Sequence, residues 1–465
     1  MDDANNALTD VELARQFPAN FIWGAATAAY QIEGAAREDE RGLSIWDAFS
    51  ATPGKVAGGD TGDVATNHYH RMPEDVKLMK QLGLDAYRFS IAWPRILPDG
   101  RGRVNEKGLD FYERLVDNLL EHNIRPFATL FHWDLPLALH HKGGWLNRDT
   151  AYAFADYAEI VVWRLGDRIS HWITHNEPWC SAYLGYGLGI HAPGLQDRQA
   201  ALTAGHHVLL SHGLAVPRIR AHTPPTAQVG ITLNFTPAYP ADDRPETLRD
   251  VALADAFSTR WLLDPLYCGG YPEHLFEALQ LNAPPIQNDD MALIATPIDF
   301  LGVNNYTRSL VRGRPSPATP PLADACDVLS PVPGACYTDM AWEIYPQALS
   351  DMLIRLHRDY HVPALYVTEN GAAFSDNLNG DTRVHDPRRI DYLRRHIQAI
   401  AGAIQQGAPL HGYFVWTLLD NFEWAEGYRK RFGIVYVDYQ TQRRIIKNSG
   451  HWYADLIAKY KETYA

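Results

Sequence analysis

Leu365-Tyr366-Val367-Thr368-Glu369-Asn370-Gly371 is a run of apolar and β-branched residues that ends in a carboxylate and is stopped by Asn-Gly. It reads as a short strand with Glu369 at its C-terminal edge. Alone, a Glu there fits equally well as a surface residue beside a common turn signal. A second stretch, His171-Trp172-Ile173-Thr174-His175-Asn176-Glu177-Pro178, repeats the pattern of apolar strand residues, a Glu and then a breaker. Two carboxylates on two strand ends suit the cleavage of a glycosidic bond, where one protonates the leaving oxygen and the other attacks or activates water.

Six further strand signals lie along the chain: Phe21 to Ala26, Ala86 to Ile91, Pro126 to Phe131, Val229 to Asn234, Phe300 to Tyr306 and Gly412 to Thr417. Between them run helical patterns. Val76, Met79 and Leu82 recur at helical spacing after a start expected at Pro73-Glu74-Asp75, and Phe111, Leu115 and Leu119 form one stripe of a helix that Asn105 is expected to cap. Another amphipathic segment spans Ala151 to Leu165. Tyr30 to Gly34 reads as a strand-to-loop exit. Eight near-continuous apolar strands alternating with helices predict an α/β fold, a parallel (β/α)8 TIM barrel with extended loops at the C-terminal face of the strands.

The 465 residues carry no composition break, so one catalytic domain over 1–465 is expected, with 1–16 as a flexible tail. The Pro- and Ala-rich segment from Arg312 to Cys336 reads as a mobile loop beside the site. A hydrophobic share of 46% and a charged share of 21% allow a large core. The net charge of -13 argues against general nucleic-acid binding. Four scattered cysteines make neither a disulfide scaffold nor a Cys-x-x-Cys site, though Cys326 and Cys336 could close a loop. The acidic, polar start lacks a secretory signal and no run is long enough to span a bilayer, so a cytoplasmic protein is expected.

Barrels of this kind gather strand-end residues on one face. Here those are Gln31, Arg88, His132, Trp133, Asn176, Glu177, Asn304, Tyr306, Glu369 and Trp416, with Glu423 and Trp424 just beyond the last strand. Hydroxyl-binding amides, His and Glu beside stacking Trp have the composition of a saccharide pocket, and Arg88 is a fixed positive charge suited to keeping a carboxylate ionised.

Phe21-Ile22-Trp23-Gly24 with Gln31-Ile32-Glu33-Gly34, Arg88-Phe89-Ser90-Ile91-Ala92-Trp93, His132-Trp133-Asp134, Asn176-Glu177-Pro178, Thr368-Glu369-Asn370-Gly371 and Asp420-Asn421-Phe422-Glu423-Trp424 occur in that order. Over nearly the whole chain, from Phe21 to about Trp452, this set resembles glycoside hydrolase family 1, the β-glucosidase family. The resemblance implies a retaining β-glycosidase acting on β-D-glucosyl residues, with galactosyl or fucosyl left open, Glu369 as nucleophile and Glu177 as acid/base. Arg88, Asn176 and Tyr306 would support them. Gln31, His132, Trp133, Asn176, Asn304, Tyr306, Trp416, Glu423, Trp424 and Phe432 would hold the sugar, and Trp342 would sit on the aglycone side. No cofactor and no metal are implied. The expected partners are β-glucosides and cello-oligosaccharides as substrates, neither nucleic acid nor membrane, with a homo-oligomer left open. The family's Asn-Tyr-Tyr run is here Asn304-Asn305-Tyr306; alternation puts Asn305 on the face opposite Asn304 and Tyr306, so little catalytic effect is expected.

Gly185-Tyr186-Gly187-Leu188-Gly189 lacks the spacing of a dinucleotide loop. His68-Tyr69-His70 and His206-His207 read as core or surface histidines, since no third ligand stands at suitable spacing. Three other functions compete: a phospho-β-glycosidase, disfavoured by a charged Glu423 where the phosphate would lie, a transglycosylase using the same intermediate, and a sugar-binding barrel without activity. The charge on Glu369 is the expected reason for Glu177 to hold its proton.

Overall fold

The computed structural model describes residues 8–313, 327–328, 331–380 and 382–464. Eight parallel strands close into a barrel: β1 (Ile22–Ala26), β2 (Ala86–Ser90), β3 (Arg125–Phe131), β4 (His171–Asn176), β5 (Gln228–Asn234), β6 (Phe300–Asn304), β7 (Leu365–Asn370) and β8 (Leu410–Trp416). Each neighbours the next in sequence and β8 returns to β1, where Ala26 lies between Trp416 and Arg88. All eight expected strands are present within a residue or two of their expected ends.

The helices outside the barrel include α1 (Asp10–Ala14), α2 (His68–Gln81), α3 (Glu106–Glu121), α4 (Asp149–Leu165), α5 (Arg198–Ala221), α6 (Gln347–Tyr360), α7 (Pro387–Gln405) and α8 (Asn448–Tyr464). In α3 the stripe of Phe111, Leu115 and Leu119 is buried against the strands, as its period dictates. Among the described residues no helix is long and apolar enough to cross a membrane.

The lower barrel interior is an aromatic layer. Phe127 stacks on His171 at 4.0 Å and meets Phe414 at 4.8 Å, and Phe300 meets Tyr366 edge-on at 5.2 Å. Glycines on neighbouring strands make room: a Cβ on Gly24 would lie 2.4 Å from the Phe414 ring, and one on Gly230 would lie 2.8 Å from that of Phe300. Above this layer the interior turns polar, through Thr129, Thr232 and Thr368, and then opens at the strand ends.

Four local expectations are corrected. Residues 8–16 are not a loose tail, because α1 is closed by a Thr9-Glu12 capping box and buries Leu13 and Ala14. Helix α2 starts five residues before Pro73, at His68, behind a left-handed Asn67. His68 pairs with Asp75 two turns on, a buried contact that fixes the earlier start. Asn105 stands at the N-cap of α3 without capping it, its amide donating to the carbonyls of Asp39 and Arg95 instead. Tyr30 to Gly34, read as a strand-to-loop exit, begins inside a helical turn, Ala29–Ile32, that buries Gln31. The loop expected over 312–336 falls largely on 314–326 and 329–330, outside the described residues, as does Cys326.

A buried ionic cluster ties the helices behind β7 and β8 to the loop that follows β8. Asp420 accepts from Lys447 and Arg431, both at 2.7 Å, and from the Gly433 amide. Arg389 on α7 grips Asp376 and Asp386, Lys447 also reaches Asp376, and Asp386 accepts from the Ser449 amide on α8. Three cations meet three carboxylates, so the cluster is neutral and its members are paired as burial demands.

Candidate active site

Register breaks in two strands aim the site. In β7, Thr368 bonds inward to Asn304 while Asn370 bonds outward to Tyr392 on α7. Strict alternation would then send Glu369 outward. The pairing with β6 slips between Val367 and Glu369, and Glu369 turns inward beside Thr368. In β4 the slip falls between Ile173 and Asn176: Thr174 and His175 both bond to α5, and Asn176 swings inward. Three residues of the site, Trp133, Glu177 and Trp424, have left-handed backbones, with φ of 80°, 48° and 46°. Such positions cost on the order of 1 kcal/mol each and gather at functional sites.

Glu369 is gripped from two sides. Arg88 donates to one oxygen at 2.5 Å and the Tyr306 hydroxyl to the other at 2.7 Å. Arg88 also donates to Asn176 Oδ1, which accepts a second bond from Asn304, while Asn176 Nδ2 donates to His132. Burial and the nearby Arg88 keep His132 neutral, which leaves Nε2 free to accept. Glu177 accepts from Asn304 at 2.7 Å on one oxygen and from the Cys180 thiol at 3.1 Å on the other.

The two carboxylates are electrostatically unequal. Burial pushes Glu177 up to about 7, and the charge of Glu369 pushes the same way. Burial also raises Glu369, but Arg88 and Tyr306 work against it. Of the pair, Glu177, with no cation in contact, is the one that holds a proton near neutrality. The expected cause is thereby corrected: desolvation comes first and the like charge second. Glu423 departs further from expectation. Burial, then the charges of Glu369, Glu426 and Glu177, push it up to about 8, which favours the protonated form at neutral pH over a charged acceptor.

A pocket of about 560 Å³ opens at this face. Among the expected residues, His132, Trp133, Glu177, Asn304, Tyr306, Trp342, Glu369, Trp416, Glu423, Trp424 and Phe432 line it. Gln31, Arg88 and Asn176 lie fully buried beneath them. Gln31 donates to the Phe422 carbonyl, and among the described residues its own oxygen and Oε2 of Glu423 find no hydrogen-bond partner. Such unpartnered buried polar atoms suit a hydroxyl-rich ligand. On one side Trp133 and Trp424 pack at 4.5 Å; on the other Tyr306 and Trp342 lie 5.2 Å apart with Phe432 behind. Asn305 points away from the pocket, donating to the Phe235 and Thr307 carbonyls.

Trp179, Cys180, His191, Arg308 and Glu343 also line the pocket and were not anticipated. Cys180 and Trp179 were findable, since they follow Glu177 within one helical turn. His191 and the Arg308–Glu343 pair come from loops whose folding no local pattern announces. Gly185 and Gly187 of the glycine-rich motif fall inside a π-helical segment, Cys180–Gly187. His206 bonds to Asp290 and Tyr271, and His207 to the Trp145 carbonyl, as core histidines do.

Residues 13–462 match the model of glycosyl hydrolase family 1. The chain is 50% identical to "Beta-glucosidase A" of Thermotoga maritima, covering 95% of this chain and 98% of that protein. It is 48% identical to the "1,4-beta-D-glucan glucohydrolase" of Thermotoga neapolitana over 95% of this chain and 98% of the relative. The solved structure of the Thermotoga maritima β-glucosidase in complex with glucoimidazole superposes with a TM-score of 0.91 at 48% identity, over 96% of this chain and 99% of that one.

Proposed function

This chain belongs to glycosyl hydrolase family 1, and on that premise we propose how its residues divide the work of a retaining β-glucosidase that removes terminal β-D-glucosyl residues. Glu369 attacks the anomeric carbon as Glu177 protonates the departing oxygen, giving a glucosyl ester on Glu369 and a free alcohol. Glu177, now a carboxylate, takes a proton from water, whose oxygen displaces Glu369 from the opposite face. The supporting observation is the asymmetry of the pair: Arg88 and Tyr306 hold Glu369 ready to attack, while Glu177 keeps a proton near pH 7.

Gln31, Trp416, Glu423 and Trp424 hold the glucosyl ring, and Trp342 with Tyr306 forms the wall that receives the aglycone, so cello-oligosaccharides and aryl glucosides both suit the site. The described barrel acts as one catalytic unit. A 6-phosphorylated sugar suits it poorly: the only arginine or lysine among the described lining residues, Arg308, is spent in a bidentate pair with Glu343.

Proton NMR of the first-formed sugar tests the reaction course. A β-glucoside should release β-glucose before mutarotation, and initial α-glucose overturns the double displacement. Glu423→Ser should lower kcat/KM for glucosides by about 10- to 100-fold, as a buried partner of the sugar hydroxyls is lost. An unchanged kcat/KM would mean that Glu423 does not touch the sugar.

A further inference from the structure

The two hydrogen bonds on Glu177 differ in kind. Asn304 is itself fixed, since the Thr368 hydroxyl donates to its Oδ1 at 2.7 Å, so its amide nitrogen meets Glu177 Oε1 only as a donor. A proton on Oε1 would face that N–H. The proton of Glu177 therefore belongs on Oε2, the oxygen that faces Cys180. A thiol is an adaptable neighbour: it donates to a bare carboxylate oxygen, and by rotating about its C–S bond it offers a sulfur lone pair to a protonated one.

The backbone secures the pairing. Glu177 sits in a left-handed turn, and the amides of Cys180 and Ser181 both donate to its carbonyl, at 3.0 and 3.3 Å. This brings Cys180 back over the side chain of Glu177, at the head of the π-helical segment. Cys180 is buried at the pocket wall, and its thiol is held well above its ordinary range by burial and by the charge of Glu177, so it stays protonated and able to donate. The other titratable or charged groups facing Glu177 are Glu369 from β7, Arg88 from β2, Tyr306 after β6 and Glu423 beyond β8, with neutral His132 nearby after β3.

We propose that Cys180 is a positioning residue for Glu177: its thiol assigns the exchanged proton to Oε2 and favours the ionised form that the second step needs. This rests on the reading of Glu177 as acid/base. The thiol bond stabilises the carboxylate, so its removal raises the pH at which Glu177 loses its proton.

The test is the pH dependence of kcat/KM for an unactivated alkyl β-glucoside in Cys180→Val, which removes the donor without opening a cavity, Cys180→Ala and Cys180→Ser, beside Glu177→Ala as reference. Val and Ala should move the basic limb up by about half a pH unit, the size of a weak hydrogen bond to a charged group, and Ser should hold it at or below the native position. A limb that stays put in Val and Ala, or moves equally in Ala and Ser, overturns the role of Cys180, as does a downward shift in Val. If Glu177→Ala fails to separate activated from unactivated substrates, the acid/base reading itself falls. If it separates them while Val leaves the limb unmoved, only the inference about Cys180 falls.

Discussion

Glu369→Gln should abolish turnover of β-glucosides, activated or not, by at least about 10⁴-fold, because an amide neither attacks the anomeric carbon nor leaves as an ester. The same change should lower the pKa of Glu177. Glu369 contributes a like charge, and its loss also frees Arg88 to act as an unopposed cation nearby. The fall should be partial, since burial, the larger cause, remains. Carbon NMR of labelled glutamate in the variant reads the titration directly. Substantial residual turnover of a dinitrophenyl glucoside would remove Glu369 as nucleophile, and an unmoved Glu177 would mean that the carboxylates are not coupled. Arg88 keeps its bonds to Asn176, Thr129 and the Thr368 carbonyl, so the variant should fold; thermal denaturation beside the native protein checks this.

Glu177→Ala should divide substrates by leaving group. Alkyl glucosides and cellobiose need the proton and should lose about 10²- to 10⁴-fold in kcat/KM, while a dinitrophenyl glucoside should keep its first step. The second step then lacks its base and should be slow, and azide, which needs no deprotonation, should restore it and yield a β-glucosyl azide. The native kcat/KM for alkyl glucosides should fall as pH rises through about 7, where Glu177 surrenders the proton it must donate. That limb should vanish in the variant. Equal losses for both leaving-group classes, with nothing restored by azide, would remove Glu177 from the acid/base role.

The barrel was legible because each strand is a continuous apolar run that stops at a polar residue or a breaker, and both faces of a closed parallel sheet are covered. The pocket followed from the same feature: strands that carry Arg88, Asn176, Glu369 or Trp416 in their C-terminal halves or at their ends converge once the sheet closes. Alternation fails where the site is aimed. Thr368 and Glu369 share a face only because β7 slips register, and Glu177 faces the pocket only through a left-handed turn that its residue type does not favour. The states of Glu177 and Glu423 follow from desolvation, which depends on how completely loops cover them. Asn105 shows the limit of local rules: a favoured capping residue in the capping position whose amide is claimed by the carbonyls of Asp39 and Arg95, outside the helix it would cap.

The ionic cluster behind β8 clamps both stems of one loop, at Asp420 on the way out and at Arg431 and Gly433 on the way back. Between the stems lie Glu423 and Trp424, and Phe432 is seated against the second. A loop whose feet are bolted to a neutral, largely buried block behaves as a cassette: its tip, residues 423–430, hangs from fixed ends, while Asn421 and Phe422 at its first foot hold Gln31. Two of the groups that read the ring, Glu423 and Trp424, thus hang from a different anchorage than Glu177 and Glu369, while Gln31 and Trp416 stay with the barrel, so sugar preference can be tuned in part without touching the groups that break the bond.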